Sequence, residues 1–193
     1  MILKDGMILY HGSYAEVDEI DLGMCDKTKD FGKGFYLTTS KKQAASFIKT
    51  SLAKAKQRGL VSENQKYGYV TTYKVHLNTG IRVYEFNGAS KEWLYYISVN
   101  RRHILKDKLE AMIKDDIAAY DVVVGKIAND DTNATLNAYL AGTYGDVGED
   151  SSYEIVSTLL KPDRLENQFC FRSEGSISVL EKIGVEKYDI REN

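Results

Sequence analysis

The first quarter of the chain alternates short apolar runs with polar, glycine-rich segments. Met7 to His11 and Phe35 to Thr38 are rich in residues that favour strands, and we expect a strand at each. A polar loop over 21–29 separates them. Ser40 and Gln43 have the spacing of a capping box, in which two side chains satisfy free backbone donors at a helix start. A helix is therefore predicted directly after the second strand.

The predicted helix has an apolar side and a lysine-rich side. Its apolar residues recur at three-to-four-residue spacing, as in an amphipathic helix packed on a core. They are Ala44, Ala45, Phe47, Ile48 and Leu52. Gly59 marks its expected end, since glycine accepts the left-handed conformation that often follows a helix.

The middle of the chain predicts a hairpin and then two helices. Two β-rich runs over 67–77 and 81–86 flank the turn sequence 78–80, so we expect them to pair with each other. Ser90 opens a helix that carries Trp93, Leu94 and Ile97 on one side. A second, more polar helix is expected over 104–113.

The C-terminal part contains one strongly apolar strand signal. The run Asp121 to Gly125 is continuously apolar after its first residue, which is typical of a strand buried on both faces. The other predicted elements are helices over 132–140 and 153–160, a break at Lys161-Pro162-Asp163, a last strand over 167–172 and a last helix over 176–183.

Together these elements predict the fold class. Short strands with helices inserted between them, without regular strand–helix alternation, favour an α+β fold with a mostly antiparallel sheet. No repeat or linker divides the 193 residues, a length that suits one substantial core. We therefore expect a single domain over 1–193.

Composition narrows the environment and the partners. A net charge of −2 argues against a chain built mainly to bind nucleic acid, which requires an excess of Lys and Arg. Cys25 and Cys170 form no Cys-x-x-Cys pair and predict reduced thiols in a cytosol. No apolar run is long enough to cross a bilayer, and the N-terminus lacks a secretory pattern. The expected location is cytoplasmic, with no membrane partner.

Several catalytic motifs are missing. The chain has no phosphate-binding G-x-x-x-x-G-K-[ST], and Gly32-Lys33-Gly34-Phe35 does not continue as a dinucleotide-binding G-x-G-x-x-G. Its three histidines, His11, His76 and His103, are not paired at metal-ligand spacing, so no metal is expected.

His11 and Tyr36 each allow two interpretations. His11 ends a strand and precedes Gly12 and Ser13, so its side chain and the next backbone amides can hold a polar ligand from two sides. Taken alone, it is better explained as a surface histidine beside a turn. Tyr36, as an aromatic residue in a strand, usually fills core.

The two positions together resemble a known fold. His11-Gly12-Ser13 and the segment Gly32 to Leu37, followed by Ala44-Ala45, are similar to motifs of the ADP-ribosyltransferase fold. The similarity is to its His-Tyr-Glu branch, shared by diphtheria-type toxins and the poly-ADP-ribose polymerases. This resemblance implies a split antiparallel sheet core with inserted helices.

The chain resembles more closely a family of uncharacterised bacterial domains within that fold. The matching motifs run in order along nearly the whole chain. They are Y-H-G-S over 10–13, D-F-G-x-G-F-Y-L-T-T over 30–39 with Gln43-Ala44, N-R over 100–101, an apolar strand motif over 121–125 with the acidic pair Asp130-Asp131, and Q-x-x-F over 168–171.

The resemblance implies NAD as co-substrate and a transition state with oxocarbenium character. It assigns a ribose hydroxyl to His11, the nicotinamide amide to the backbone at Gly12, and stacking on the nicotinamide ring to Tyr36. Further cofactor contacts are implied at Ser13, Gly34, Ala44 and Arg101. Arg101 would meet the NAD pyrophosphate or only solvent, and Arg102 has the same ambiguity.

Gln168 departs from the family pattern. It stands where the enzymes carry a catalytic glutamate, and a glutamine orients a hydroxyl without contributing charge. Losing such a contact typically costs on the order of a hundredfold to a thousandfold in rate. Glu166 or Glu174 could supply the acid or be solvated edge charges. Asp130 and Asp131 could reach the pocket rim or cap a helix.

Two functions from different classes follow. The first is an NAD-dependent mono-ADP-ribosyltransferase that modifies a protein or nucleic-acid acceptor, and that acts as the toxin of a bacterial pair with an antitoxin partner. The second is an NAD- or ADP-ribose-binding module that lost turnover when the acid became Gln168. A third reading is an interaction protein whose pocket is vestigial.

Overall fold

The computed structural model describes residues 2–113, 115–127, 130–160 and 165–190, without the side chains of residues 110, 115, 130 and 131. Seven strands form a single sheet. Their bounds are β1 Ile8–Ser13, β2 Phe35–Thr38, β3 Tyr67–Val75, β4 Val83–Glu85, β5 Val122–Lys126, β6 Asn167–Phe171 and β7 Leu180–Asp189. The strand order across the sheet is β4-β5-β6-β2-β1-β3-β7, so β2 lies at the centre.

The sheet is mixed but mostly antiparallel. Among the seven described strands, β4 and β5 pair in parallel, and each other neighbouring pair runs antiparallel. With the helices inserted between strands, this confirms the predicted α+β class.

The described part of the chain contains six α-helices beside the sheet. Their bounds are α1 Lys41–Gln57, α2 Lys91–Arg101, α3 Lys106–Leu109, α4 Asp130–Leu140, α5 Asp150–Leu160 and α6 Glu174–Ile177. Short 3-10 turns lie at Leu22–Met24, His103–Leu105, Glu110–Met112 and Asp115–Ala119. None of the helices in the described part of the chain is both long and apolar enough to span a bilayer.

Helix α1 follows its sequence signals closely. Ser40 Oγ accepts a hydrogen bond of 3.2 Å from the Gln43 backbone N–H, which satisfies one free donor at the helix start. The buried side carries Ala44, Ile48, Leu52 and Ala55. Phe47, expected on that side, is instead 39% exposed. Gly59 lies just past the end at φ 66°, a conformation that glycine adopts without strain.

Other predictions are confirmed within a few residues. β2 has the predicted bounds, and four of the five residues of β5 are buried. The Ser90 hydroxyl accepts a hydrogen bond from the Trp93 N–H and caps α2, as predicted. Helices α4 and α5 both form, each starting a few residues earlier than its pattern indicated.

The predicted hairpin over 67–86 is wrong. β3 pairs with β1 and β7, whereas β4 lies at the opposite edge of the sheet beside β5. The intervening turn does form, since Asn78 Oδ1 accepts a 2.9 Å hydrogen bond from the Gly80 N–H. The chain then crosses to the far edge of the sheet instead of folding back on β3.

Two helix predictions are also wrong. The segment over 176–183 holds only the end of α6, capped by a Ser173–Ser176 box, before it becomes the ten-residue strand β7 against β3. The polar segment over 104–113 is the short α3 flanked by 3-10 turns, not one helix. The predicted break at Lys161-Pro162-Asp163 lies outside the described residues.

The sheet buries both of its faces. On the side we call the helix face, Val123 and Cys170 pack against α2, α4 and α5, and α1 covers Val70 of β3. On the opposite side, the loop face, large apolar side chains meet the connecting segments. The loop-face side chains of the central strands are Leu9, Phe35, Leu37, Phe169 and Phe171. Residues of one strand therefore alternate between two distinct surroundings.

Candidate functional site

Tyr36 closes the glycine turn that precedes its own strand. Its hydroxyl donates to the Gly32 carbonyl at 2.7 Å and accepts from the Phe31 N–H at 2.9 Å. Gly32 has φ 78°, which explains the glycine there. Burial, followed by the neighbouring Cys170 thiol, holds the pKa of Tyr36 well above its usual value. The tyrosine is thus a neutral, half-buried side chain with its hydroxyl already satisfied.

Gly34 allows β2 to lie close to β6. A Cβ at this position would sit 2.4 Å from Cys170 Sγ and 2.7 Å from the Phe171 carbonyl oxygen. Both distances are shorter than any real carbon contact, so only glycine fits without a shift of the strands. The structure therefore gives Gly34 a packing role, and its predicted contact with a cofactor stays a prediction.

His11 occupies the opening between β1 and β2. These strands are paired only at Tyr10 and Thr38, and beyond that pair His11 Nδ1 lies 2.8 Å from the Tyr36 carbonyl oxygen. The imidazole also packs on the Phe35 ring, with centroids 4.4 Å apart. Since a carbonyl only accepts, Nδ1 carries the proton, and in the neutral ring Nε2 is an acceptor.

The Nε2 atom of His11 has no hydrogen-bond partner among the described residues, and it is not among their buried unpaired atoms. Burial is the main cause that lowers the pKa of His11 below 6.5, and it outweighs the opposing effect of the Tyr36 carbonyl. Lys29 also lowers it. The site thus contains a neutral imidazole with an accessible acceptor nitrogen.

Gly12 and Ala44 form the contact between β1 and the first turn of α1, and Ser13 follows Gly12 on β1. A Cβ at Gly12 would lie 1.8 Å from the Ala44 carbonyl oxygen. Ala44 is buried together with Ile48 and Val70. Ser13 is buried, and its Oγ accepts a long hydrogen bond of 3.4 Å from the Ala15 N–H. These contacts account for the small residues by packing, and the cofactor roles proposed for them stay predictions.

Gln168 lies on β6 opposite Thr38, with its side chain 8% exposed. Its Nε2 donates to Asp30 Oδ2 at 2.9 Å and to the Lys126 carbonyl at 3.3 Å. Both partners are acceptors, so the amide nitrogen must face them. Oε1 then points the other way, where it has no partner among the described residues and is not fully buried.

Asp30 is the residue that sequence reasoning missed. Its Oδ1 accepts from Nε and Nη2 of Arg101, each at 2.8 Å, while its Oδ2 holds Gln168. The Asp30 and Arg101 side chains are only 11% and 17% exposed. We call Asp30, Arg101 and Gln168 the Asp30 cluster. Asp30 opens the D-F-G-x-G-F-Y-L-T-T motif over 30–39, but that motif does not specify partners so far away in the chain.

The Arg101 guanidinium is largely used within the protein. Besides Asp30, it donates through Nη1 to Asn133 Oδ1 at 2.9 Å. Arg102 donates to the Leu140 carbonyl, also at 2.9 Å. A role of either arginine toward a pyrophosphate stays a prediction.

Lys29 is a second cation near the site that the sequence did not reveal. Its ammonium lies over the Phe47 ring, 5.0 Å from the centroid. Burial, and then the nearby Lys54, lower the pKa of Lys29, while Asp26 and Asp30 oppose the shift. Lys29 forms no salt bridge with another described residue, so its charge remains available to an anionic ligand.

The structure brings the three proposed catalytic residues onto adjacent strands β1, β2 and β6. Tyr36 faces Cys170 across the ladder, so Tyr36 and Gln168 point to the helix face, and both contact the Asp30–Gly32 segment. His11 touches Tyr36 through the backbone, while its ring packs on Phe35 of the loop face. The imidazole and the carboxamide thus approach β2 from two sides.

The alternative acids lie elsewhere. Glu166 and Glu174 are both exposed, and neither side chain contacts His11, Tyr36 or Gln168 in the described part of the chain. The side chains of Asp130 and Asp131 lie outside the described residues. Within the described ranges, no group of three or more His, Cys, Asp or Glu side chains is arranged to hold a metal ion.

A cavity of about 430 Å³ lies next to this site, at the ends of β4 and β5. It is lined by Glu85, Phe86, Asn87, Gly88, Lys126 and Asn167. Lys126 and Asn167 adjoin Gln168 through backbone contacts, but none of the three proposed catalytic side chains lines the cavity.

One family of known proteins matches the chain. A family model described as a protein of unknown function, DUF3990, matches residues 7–182. The matched range contains His11, Asp30, Tyr36, Arg101 and Gln168. No curated protein matches the chain.

Proposed function

The chain belongs to the DUF3990 family of unknown function, and from that premise we propose that it is an NAD-dependent mono-ADP-ribosyltransferase. The observation that carries the proposal is the position of His11, Tyr36 and Gln168 on three adjacent strands, although His11 and Gln168 are 157 positions, 168 minus 11, apart in the sequence. Two of these side chains, those of His11 and Gln168, present acceptor atoms that have no partner among the described residues. Accessible acceptors of this kind are what ribose hydroxyls require.

The proposed reaction cleaves NAD at the bond between C1′ of the ribose and the nicotinamide nitrogen. The electron pair of that bond leaves with nicotinamide, and an acceptor nucleophile then bonds to C1′ and releases a proton. The ribose carries positive charge as the bond breaks. In this proposal, His11 Nε2 and Gln168 Oε1 each accept a hydroxyl hydrogen bond and thereby orient the sugar.

Tyr36 and Lys29 would support substrate binding. The half-buried Tyr36 ring offers a surface for stacking, since its hydroxyl is anchored at Gly32 and Phe31 and its orientation is fixed. The Lys29 ammonium, held over Phe47, offers a cation for the diphosphate. Lys29 suits this role better than Arg101, because the Arg101 guanidinium is already paired with Asp30.

The binding-module alternative is favoured by the amide of Gln168. An amide oxygen is a weaker electrostatic partner for the developing positive charge than a carboxylate oxygen. A protein of this kind would bind NAD and leave it intact. The toxin role and its antitoxin partner stay predictions, because they concern partners rather than this site.

The experiment is incubation of the protein with NAD labelled in its adenosine part, together with cell extract. We expect label on a macromolecule and release of nicotinamide. His11→Ala should remove both, because the sugar loses the acceptor that orients it. His76→Ala is a matched control, since His76 is an exposed histidine paired with Glu181 at 2.6 Å.

The two candidate functions predict different outcomes. NAD that binds to the wild type, is lost from His11→Ala and is never consumed would establish the binding module. NAD that does not bind to the wild type at all would exclude both functions.

A further inference from the structure

The Asp30 cluster places the buried Asp30 carboxylate beside Gln168, which carries an amide where the enzymes of the resembled branch carry a glutamate. Gln168 carries no charge of its own, but Asp30 Oδ2 lies 2.9 Å from its Nε2. The two residues are 138 positions apart in the chain, so only the fold brings them together. A hydrogen bond between an amide and a carboxylate is stronger than one between two neutral groups.

We propose that Asp30 is a positioning residue for NAD cleavage, acting through Gln168. This inference rests on the proposed function. Asp30 holds the Gln168 amide in one of its two orientations, so that Oε1 rather than Nε2 meets the substrate hydroxyl. Its negative charge also polarises the amide and increases the electron density at Oε1.

The surroundings make this orientation unique. The Gln168 amide faces two acceptors, Asp30 Oδ2 and the Lys126 carbonyl. A flipped amide would place Oε1 against both oxygens in a nearly buried position, where an unpaired polar contact is costly. An Oε1 acceptor suits a ribose hydroxyl, which can donate to it.

Arg101 explains how a buried carboxylate is tolerated there. Two of its nitrogens donate to Asp30 Oδ1, which leaves Oδ2 directed at Gln168. The Asn100 side chain also donates to the Asp30 carbonyl at 3.2 Å. The α2 residues Asn100 and Arg101 therefore fix Asp30 at both its backbone and its side chain.

This arrangement predicts an unusual outcome for a simple replacement. In Gln168→Glu, two carboxylates would meet at the distance of the present hydrogen bond, and one of them would have to bind a proton. Restoring the glutamate of the enzyme branch alone would therefore be of little help at neutral pH. The exchange Asp30→Asn with Gln168→Glu keeps one donor and one carboxylate, with their positions reversed.

The experiment measures the kcat and KM of nicotinamide release for the wild type, Asp30→Asn, Gln168→Glu and the double exchange. Asp30→Asn should lower kcat by about a hundredfold and change KM little, because a misdirected amide affects the transition state more than binding. The double exchange should restore kcat to at least the wild-type value. Asp26→Asn is the matched control, since it removes a nearby carboxylate that contacts Thr28 and lies 3.9 Å from the Arg58 guanidinium.

The pH dependence distinguishes positioning from a structural role. Gln168→Glu should be poorly active above neutral pH and gain activity as the pH falls, because its carboxylate pair then takes up a proton. The double exchange should lack this gain. Asp30→Glu is a second variant that keeps the charge for Arg101 but displaces the carboxylate, and it should lower kcat even if Asp30→Asn does not fold.

Each outcome decides one question. Wild-type release of nicotinamide with Asp30→Asn or Asp30→Glu unaffected would overturn the role of Asp30 and leave the proposed function standing. The role of Asp30 would also be overturned, and the proposed function left standing, if the effects of Asp30→Asn and Gln168→Glu on kcat simply add in the double exchange. Absence of nicotinamide release from the wild type and every variant would overturn the proposed function, and the role of Asp30 with it.

Discussion

The Asp30 cluster and the surroundings of His11 lie on either side of β2 and differ in how their polar atoms are paired. In the Asp30 cluster, the carboxylate and guanidinium are paired inside the protein, and the amide nitrogen is paired with them. His11 has one hydrogen bond, to a backbone carbonyl, and its second nitrogen has no partner among the described residues. The hydrogen bonds of the Asp30 cluster hold its side chains in one geometry, whereas His11 keeps an acceptor atom that a ligand can bind.

Because of this difference, we expect mutations in one region to affect stability and mutations in the other to affect ligand binding. A buried charge that loses its partner destabilises a fold strongly, whereas a half-buried ring with one hydrogen bond contributes little. Mutations in the Asp30 cluster should therefore affect unfolding first. Mutations of His11 should affect binding first.

The largest expected effect is that of Asp30→Ala on stability. It would remove the carboxylate that pairs with the largely buried Arg101 guanidinium and accepts from the Gln168 amide, and we expect the free energy of unfolding to fall by about 3–5 kcal/mol. Urea denaturation followed by circular dichroism measures it. Asp18→Ala is the control, since Asp18 pairs with Lys182 but its side chain is 83% exposed, and no measurable change is expected. Equal effects of the two replacements would remove the distinction between the regions.

Gly12→Ala should have the next largest effect. The added methyl would collide with the Ala44 carbonyl oxygen at 1.8 Å, so the first turn of α1 would have to move away from β1. We expect a loss of about 1–3 kcal/mol in the free energy of unfolding. Gly184→Ala serves as the control, since its added methyl would have no described atom within 4 Å apart from those of its chain neighbours. Similar urea denaturation midpoints for Gly12→Ala and Gly184→Ala would contradict the close packing of α1 on β1.

The contacts of Asp30 and Gly12 could be predicted from the sequence only in part. Local signals predicted β2, α1 and α2, because strand propensity and the caps at Ser40 and Ser90 act over a few residues. The motif around His11 and Tyr36 also identified residues that meet in the fold. Residues that determine their own local conformation could be predicted in this way.

Long-range pairings could not be predicted in the same way. β7 has apolar residues at helical spacing, and Ile183 and Val185 are partly exposed on the edge of the sheet, so only pairing with β3 makes it a strand. The 78–80 turn looks like a hairpin turn, and nothing local indicates that β4 joins β5. Asp30 was missed for the same reason, since its partners are remote in the sequence.

A smaller effect is expected from the pH dependence of stability. Burial lowers the pKa of His11 in the folded state, so between that pKa and 6.5 the unfolded chain binds more protons. Stability should therefore fall as the pH drops below 6.5. His11→Asn, whose amide can still donate to the Tyr36 carbonyl, should reduce this slope in urea denaturation series. A replacement at the exposed His103 is the control, and an unchanged slope in His11→Asn would contradict the assignment.

The smallest expected effect is on the reactivity of the two thiols, and it involves no change in stability. Burial raises the pKa of Cys170 to about 12, and the pKa of the half-buried Cys25 is raised as well, also mainly by burial. Iodoacetamide should modify Cys25 slowly in the folded protein and Cys170 only after unfolding, as mass spectrometry would detect. Modification of Cys170 in the folded protein would mean that the interior beneath Tyr36 is accessible.

We propose that one NAD molecule contacts both His11 and Gln168 at the opening between β1 and β2. The most direct measurement is an experimental structure of the protein with a non-hydrolysable NAD analogue. We predict a nicotinamide ribose whose hydroxyls form hydrogen bonds with His11 Nε2 and Gln168 Oε1, and an unchanged Asp30–Gln168 contact. An analogue bound in the cavity between Glu85 and Asn167, away from both side chains, would contradict it.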